Sequence, residues 1–328
     1  MKVLVTGGTG FTGKALVKRL LDNGYEVVAL DYKEHLKTQE IRDWGAKVII
    51  GSVTDKEVVE KAMEGVDIVQ HLAAAFREMD VPESFYDEVN VGGTKNVLEA
   101  AYKAGVKKFI NTSTCGVHGN IDNPPADEDA PIQPADYYQK TKYKAEPIVA
   151  EYAKKGMKTV IIRPAAIYGP GDPERFFMLF KRVAKGKFPM FGNGKTFYHP
   201  LYIDNLTDAY MLAMEGDKGV GGTYLIADEE YVEIEDLVKR IGKAMNIDVK
   251  VSHYPIAPLI AAGHACETIC KPLGITPPIF PRRVDWYRQN RAFKIDRAKK
   301  DLGYKPKVGL DEGLKKTFEW YKKEGFLK

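Results

Sequence analysis

The chain reads as an α/β protein, a doubly wound parallel sheet with a smaller, mostly C-terminal lobe. Three observations predict this. Residues Thr6 to Gly13 spell TGGTGFTG, between an apolar run, Lys2 to Val5, and the stretch Ala15 to Leu21, where apolar residues recur at helical spacing. Apolar strand candidates then alternate with amphipathic helices through the first half, the pattern that builds a parallel sheet covered on both faces. After Arg163 and Pro164 the alternation becomes irregular: Gly169, Pro170, Gly171 and Pro173 break the chain, and Gly192 to Gly194 break it again.

The first element is a strand, a turn and a helix start. In that context Gly7 makes a tight turn, Gly10 lets the backbone approach a pyrophosphate, and Gly13 lets the helix pack closely on the strand. The freed N–H groups and the helix dipole hold the anion. A second apolar run, Glu26 to Leu30, ends in Asp31, eighteen residues after Gly13, where a carboxylate accepts hydrogen bonds from an adenosine ribose. Together these make a Rossmann-type dinucleotide fingerprint. A 2′-phosphate would be repelled by Asp31, which favours NAD over NADP, although Lys33 stands close enough to soften the preference.

Further strands are expected near residues 47 to 50, 67 to 71, 107 to 112 and 158 to 162, after those near 2 to 6 and 26 to 31, with helices in the gaps. Asp55 is a good N-cap for the helix Lys56 to Met63. Residues 120 to 136 are acidic and Pro-rich and read as an ordered surface loop that ends where the Tyr138 helix begins. Residues 1–168 are assigned to the NAD-binding domain, to which a segment of about 196–229 returns, with a strand at 223 to 227. Residues 169–195 and 230–328 are assigned to a substrate-binding lobe.

A chain of 328 residues can bury a large core. Its net charge is only +4, from 49 basic and 45 acidic side chains, so electrostatics gives no case for nucleic acid. The first strand starts at once, without an apolar h-region, which argues against a signal or transit peptide and for a cytoplasmic location. Cys115, Cys266 and Cys270 are odd in number and lack disulfide spacing, as expected of a reduced compartment. Cys266, Cys270 and His264 lack a convincing metal spacing, and no metal is expected. The segment Ile256 to Phe280 is rich in Ala, Ile, Leu and Pro but is too short and too interrupted by His264, Glu267 and Lys271 to cross a bilayer. It reads as a packing helix or lid, or as a contact surface for membrane or a lipid-like substrate.

The chemistry is carried by Tyr138-x-x-x-Lys142, which a helix places on one face, one turn apart. A free tyrosine titrates near 10, too high for a base at neutral pH, but a nearby ammonium and the positive nicotinamide ring favour the phenolate. Tyr138 can then take a hydroxyl proton as hydride leaves, or return it during reduction. The run Asn111-Thr112-Ser113-Thr114 ends the fifth candidate strand, where ligands bind in open α/β sheets.

On these residues the chain resembles the extended short-chain dehydrogenase/reductase family over essentially its whole length. The family contains nucleotide-sugar epimerases and dehydratases, 3β-hydroxysteroid dehydrogenases and dihydroflavonol reductases. The motifs are TGGTGFTG, HLAAA at His71 to Ala75, VNVGGT at Val89 to Thr94, TSTCGVHG at Thr112 to Gly119, Tyr138 with Lys142, RPAAIYGPG at Arg163 to Gly171 and YIDNLTDA at Tyr202 to Ala209. The resemblance implies a catalytic set of Thr114, Tyr138 and Lys142, with Ser113 the second choice for the hydroxyl. It implies cofactor contacts from Gly7, Thr9, Gly10, Phe11, Thr12 and Gly13, then Asp31, Ser52 and Val53 at the adenosine. Leu72, Ala73, Ala74 and Thr112 would line the cofactor; Pro164 and Ile167 would flank the nicotinamide, and Lys142 would bind its ribose beside Tyr138. Asn90 would brace the sheet. Substrate candidates are Phe76, Ser113, His118, Tyr168, Arg175, His199 and Arg282.

Departures from the family pattern narrow the reaction. The Asp-Glu pair that performs elimination in 4,6-dehydratases is replaced by Cys115 and Gly116, which cannot transfer those protons; Gly116 also counts against the decarboxylases. Two enzyme readings survive. One is an epimerase acting at C4 of a nucleotide-linked sugar through a transient 4-ketone, with Arg175, Lys181, Arg282 and Arg283 as a diphosphate clamp. The other is a net dehydrogenase or reductase on a steroid-like, flavonoid-like or other small molecule. Family frequencies tip the balance towards sugar, while the absence of an Asn among Pro173 to Phe177 and the apolar segment 256 to 280 weigh the other way. A third reading, an NAD-sensing scaffold without turnover, sits poorly with an intact Thr114, Tyr138 and Lys142. The resemblance also implies a homodimer, through helices around Pro82 to Ala104 and Asp136 to Lys154.

Overall fold

The apolar runs of the first half become strands of one parallel sheet. A computed structural model describes residues 1–35, 37–76, 78, 81–172, 175–270 and 284–327. Strands β1 (Lys2–Thr6), β2 (Glu26–Asp31) and β3 (Lys47–Ile50) fall on their expected positions. β4 (Ile68–His71), β5 (Lys108–Thr112) and β6 (Thr159–Pro164) each begin one residue later than expected, and β6 runs on to Pro164. The strand Thr223–Ile226 returns beside β6, so the order across the sheet is Thr223–Ile226, β6, β5, β4, β1, β2, β3. Every neighbouring pair is parallel. The order reverses between β1 and β4, and a crevice opens there at the carboxyl ends of the strands.

Both faces of the sheet are buried, which is why its strands are continuously apolar rather than alternating. Val3 and Val5 pack on one face with Leu16, Val17 and Leu20 of α1 (Phe11–Asp22), while Leu4 faces the other way into Val28, Leu98 and Phe109. The buried spacing in α1, Gly13, Leu16, Val17 and Leu20, is one helix face. Asp55 caps α3 (Lys56–Ala62) as expected, accepting from Glu57 N at 3.0 Å and Val58 N at 3.3 Å. Between α2 (Thr38–Asp43) and β5 the chain also forms α4 (Glu83–Tyr86), a π-helical turn over Asp87–Gly93 and α5 (Thr94–Lys103). Outside the sheet, Tyr168, Phe176, Phe180, Phe188, Ile234, Leu237 and Tyr321 form a second apolar core.

Two expectations change. The acidic stretch 120 to 136 is not simply a surface loop: Ile121, Ala126 and Glu128 are buried. Glu128 Oε1 accepts from Leu225 N at 2.9 Å, covering the exposed edge of the sheet. Ala126 N donates to Ala292 O, Lys294 N to Ala126 O and Ile121 N to Asn290 O, so this stretch holds residues 290–294 against the sheet. The helix Ala257–Cys270 is apolar, yet Gly263 is its one residue classed as buried and Ile269 is 63% exposed, so it is no ordinary packing helix. The rest of that segment, from Lys271, lies outside the described residues. No described helix is long and apolar enough to cross a membrane.

Candidate active site

At the carboxyl ends of the strands lies a cleft of about 730 Å³. One part of its wall is the fingerprint. Gly7 has φ +70°, and a Cβ there would meet Ala73 N at 2.9 Å; at Gly13 a Cβ would lie 1.9 Å from Gly7 O. At Gly10 a Cβ would meet only Gly7 O, at 3.5 Å, so a side chain there would fill the cradle itself. No side chain caps α1, which leaves its first turn open to an anion. Phe11, Thr12, Asp31, Ser52, Val53, Leu72, Ala73 and Ala74 continue the wall. Thr9 stands behind it: its N and Oγ1 donate to Asp31 Oδ2 at 3.0 and 2.7 Å, so this pair shapes the loop. Tyr32, Lys33 and His35 also reach the cleft, with Lys33 Nζ 4.8 Å over the Tyr32 ring.

The opposite part of the wall carries Thr112, Thr114, Tyr138, Pro164 and Ile167. Asp136 caps α6 (Tyr137–Lys154) through Gln139 N at 2.8 Å and so sets the helix phase that turns Tyr138 to the cleft. The Tyr138 ring meets Phe76 edge-on at 4.8 Å. Asn90 fixes that contact: it takes Ala75 N at 2.7 Å, donates to Ala75 O at 3.2 Å, and donates to Thr141 Oγ1 at 2.9 Å, one turn along α6. Thr114 Oγ1 accepts from Gly116 N at 3.1 Å, which leaves its hydroxyl proton to donate.

Lys142 is fully buried, and its Nζ has no hydrogen-bond partner among the described residues. Burial pushes it down to about 8, against the opposing pull of Glu146. A buried ammonium without acceptors is costly unless a ligand supplies them. The hydroxyls of a nicotinamide ribose are such acceptors, and together with the glycine cradle the site fits a nicotinamide dinucleotide.

His71 is held by a directional chain. Thr94 Oγ1 donates to Asn90 O at 2.7 Å, so it accepts from His71 Nε2 at 2.9 Å; Nδ1 therefore accepts from Thr6 Oγ1 at 2.7 Å, and that hydroxyl also accepts from Ala73 N at 3.2 Å. Burial, then the Lys142 charge, pushes His71 down to about 3. The folded state therefore refuses a proton that the unfolded chain binds below its ordinary value near 6.5. As pH falls from about 6.5 towards 3, this histidine costs stability at ~1.4 kcal/mol per pH unit. Replacing His71 by Gln should remove that slope, so the difference in unfolding free energy between variant and wild type narrows in acid. Urea titrations from pH 7 to pH 4.5 read it directly; parallel slopes would contradict it.

Of the expected substrate contacts, Ser113, His199 and Phe76 reach the cleft, and His118 and Tyr168 are buried away from it. Ser113 lines the cleft, but its hydroxyl proton is given to Glu146 Oε1 at 2.5 Å, which leaves the oxygen only as an acceptor. Glu146 also takes Arg163 Nε at 2.9 Å and Nη2 at 2.6 Å, a buried bidentate pair. His118 is buried behind this pair, accepting from Arg163 Nη1 at 3.0 Å on Nε2 and donating from Nδ1 towards Ala130 O at 3.1 Å; it packs rather than facing the cleft. Burial, then Arg163, lowers its affinity for a proton. Tyr168 is fully buried in the second core, stacked on Phe176 at 4.5 Å, with its hydroxyl donating to Leu310 O. His199 does reach the cleft, but Phe293 N donates to its Nδ1 at 3.2 Å and its Nε2 donates to Asp228 O at 2.9 Å, so it offers a ring face only. Phe76 is on the wall. Arg282, with Arg283, lies outside the described residues, as does the side chain of Arg175.

Residues that sequence reasoning missed also line the cleft: Glu78, Phe85, Glu88, Val89, Gln139, Ala165, Ala166, Asp172, Tyr198, Arg291 and Phe293. Gln139 had a local signal, being next to Tyr138. Arg291 and Phe293 had none, since long-range pairing with residues 120–126 and with Phe197 and His199 brings them in.

A profile of the NAD dependent epimerase/dehydratase family matches residues 3–227. The chain belongs to that family. Among its relatives is the human sterol-4-alpha-carboxylate 3-dehydrogenase, decarboxylating, 30% identical over 97% of this chain and 87% of that protein. The 2-alkyl-3-oxoalkanoate reductase of Stenotrophomonas maltophilia is 30% identical over 96% of this chain and 98% of its own length. Among solved structures, the UDP-glucose 4-epimerase of Thermotoga maritima with UDP-glucose superposes with a TM-score of 0.81 and 28% identity, covering 99% of each chain. The resemblance to extended short-chain dehydrogenase/reductases thus holds over the chain's length, and relatives of both the epimerase and the dehydrogenase kinds surround it.

Proposed function

We propose that the chain is an NAD-dependent dehydrogenase/reductase that interconverts a secondary alcohol and its ketone on a substrate with an apolar body. The observation that carries this is the set of apolar side chains in the cleft that Tyr138 lines. Phe76 packs on the Tyr138 ring, Phe85, Val89, Ala165, Ala166 and Phe293 line the same cleft, and His199 has both nitrogens already engaged. Ring hydroxyls of a sugar that fall against these side chains would lose water without a partner, at a cost of ~1–3 kcal/mol each, although Glu78, Glu88, Gln139, Asp172, Tyr198 and Arg291 also line the cleft. An apolar substrate gains from the same surface. Two relatives near 30% identity bear names of sterol and alkanoate oxidoreductases, which agrees with it.

Bound NAD⁺ supplies the hydride acceptor, and NADH the donor in reverse. Tyr138, as phenolate, takes the carbinol proton, and the Thr114 hydroxyl donates to the carbinol oxygen and holds it in place. Lys142 favours the phenolate by its charge and would hold the nicotinamide ribose, with Pro164 and Ile167 flanking the nicotinamide. Gly7, Gly10 and the start of α1 would cradle the pyrophosphate, and Asp31 with Ser52 and Val53 the adenosine, which favours NAD over NADP. The proposal includes a homodimer through α5 and α6, whose Tyr102 and Tyr143 expose aromatic surface.

The nucleotide-sugar 4-epimerase is the second reading. Arg291 on the cleft wall could take a diphosphate, and the fold superposes closely on an epimerase. A panel of long-chain secondary alcohols, hydroxysteroids, UDP-sugars and dTDP-sugars separates the two. Net NADH formation at 340 nm with the apolar alcohols is expected; interconversion of sugar epimers without net NADH, and silence with the alcohols, would overturn the proposal.

A further inference from the structure

Glu146 is a buried carboxylate fixed by three hydrogen bonds. Arg163 Nε and Nη2 donate to its two oxygens at 2.9 and 2.6 Å, and the Ser113 hydroxyl donates to Oε1 at 2.5 Å. The side chains of Glu146 and Arg163 are each only 7% exposed, so water does little to screen the charge. Every segment that meets at this carboxylate carries a part of the site. Ser113 stands just past β5 and next to Thr114, Arg163 precedes Pro164 at the end of β6, and Lys142 lies one turn before Glu146 on α6.

Residues four apart on a helix share a face, with Cβ atoms about 5–6 Å from each other. Lys142 Nζ nevertheless makes no hydrogen bond among the described residues, so Glu146 acts on it through space rather than by contact. Its charge opposes the burial that pushes Lys142 down to about 8. Other titratable groups surround the pair: Tyr138 one turn earlier on α6, His71 on β4, which burial and Lys142 keep neutral, and Glu78, Glu88 and Asp172 on the cleft wall. The charge that raises Lys142 is that of Glu146. Arg163 does not take this away. It gives its remaining bonds to His118 Nε2 at 3.0 Å and Glu128 O at 3.4 Å, and neither residue lines the cleft. A charge locked in this way needs no rearrangement when a ligand arrives.

We propose that Glu146 is a positioning residue that acts through Lys142: its fixed carboxylate keeps the buried ammonium charged in the cofactor-free site, ready for the hydroxyls of the nicotinamide ribose. The proposal rests on the placing of Lys142 at that ribose, which the dehydrogenase and epimerase readings share.

The test is calorimetric titration of the full chain with NAD⁺ from pH 6 to pH 10. A lysine that must be charged to hold the ribose makes affinity fall by up to about tenfold per pH unit above its own value. In the wild-type protein the fall should begin near pH 8. Glu146→Gln keeps an acceptor for Ser113 and removes the charge, so Lys142 sheds its proton earlier and the fall should begin about one pH unit lower. Should that variant not fold, Glu146→Leu combined with Arg163→Met replaces both charges by apolar chains, a change that buried pairs tolerate, and the same downward shift is expected. Lys142→Met identifies the fall as that of Lys142 by abolishing it. A merely structural Glu146 would weaken binding by one factor at every pH and leave the fall near pH 8. That result, with the fall absent in Lys142→Met, overturns the proposal and leaves Lys142 at the ribose. A fall that persists in Lys142→Met removes Lys142 from the ribose and overturns the proposal with it.

Discussion

Replacing Tyr138 by Phe lowers kcat for alcohol oxidation by about 10²- to 10⁴-fold, the range lost when a positioned acid/base is removed. NAD⁺ affinity stays close to wild type. The separation follows from where the hydroxyl stands: the ring packs edge-on against Phe76, a contact that phenylalanine retains, and the backbone carbonyl of residue 138 still accepts from Thr141. The fingerprint glycines and Asp31 lie on another part of the cleft wall. Steady-state rates with a responsive alcohol, alongside a fluorescence titration with NAD⁺, measure both. A variant that keeps turnover removes Tyr138 from the proton path, whereas joint loss of binding and turnover makes it a structural residue.

Lys142→Met has the second large effect, and its two parts have opposite signs. Activity falls by about two orders of magnitude or more, since the charge that favours the phenolate is gone. Stability rises, by about 1–4 kcal/mol, because an ammonium without an acceptor is replaced by an apolar chain of similar length. The sign follows from the depressed value of Lys142, about 8 against an ordinary 10.5. Below pH 8 the folded protein carries the full cost of the buried charge. Between about pH 8 and 10.5 the folded state sheds the proton while the unfolded chain keeps it, so wild type gains stability as pH rises and the advantage of the variant shrinks. Denaturation midpoints at pH 7 and pH 9.5 check this. A less stable variant at pH 7 would mean that the ammonium is satisfied by something other than a bound cofactor.

The two predictions concern residues that are legible in the sequence for a physical reason. A strand, a glycine turn and a helix start are adjacent in the chain, and the four-residue spacing of Tyr138 and Lys142 becomes proximity as soon as a helix forms. Asp55 as a cap and Asp31 at the end of β2 are equally local. Features made by distant segments were not legible. Arg291 and Phe293 are brought to the cleft by long-range bonds, from Ala126 and Ile121 on one side and from Phe197 and His199 on the other, and no periodicity reports that pairing. His118 and Tyr168 looked like pocket residues from the motifs around them; burial of the Arg163–Glu146 pair claims the first and aromatic packing the second. The acidic composition of residues 120 to 136 suggested solvent, yet Glu128 is drawn in by the unpaired N–H of Leu225 at the sheet edge. Buried charge is the feature that composition hides best, because its partner decides its place.

The choice between the two enzyme readings turns on whether the cofactor leaves after each reaction. An epimerase returns the hydride to the same substrate and has reason to retain NAD; a dehydrogenase must exchange NADH for NAD⁺. The direct measurement is to purify the protein without added cofactor, denature it, assay released NAD(H) by absorbance and mass, and titrate the undenatured protein with NAD⁺. The account predicts far less than stoichiometric NAD(H) and reversible, saturable binding. Near-stoichiometric NAD that survives dialysis, released only on denaturation, would contradict it and return the chain to the sugar epimerases.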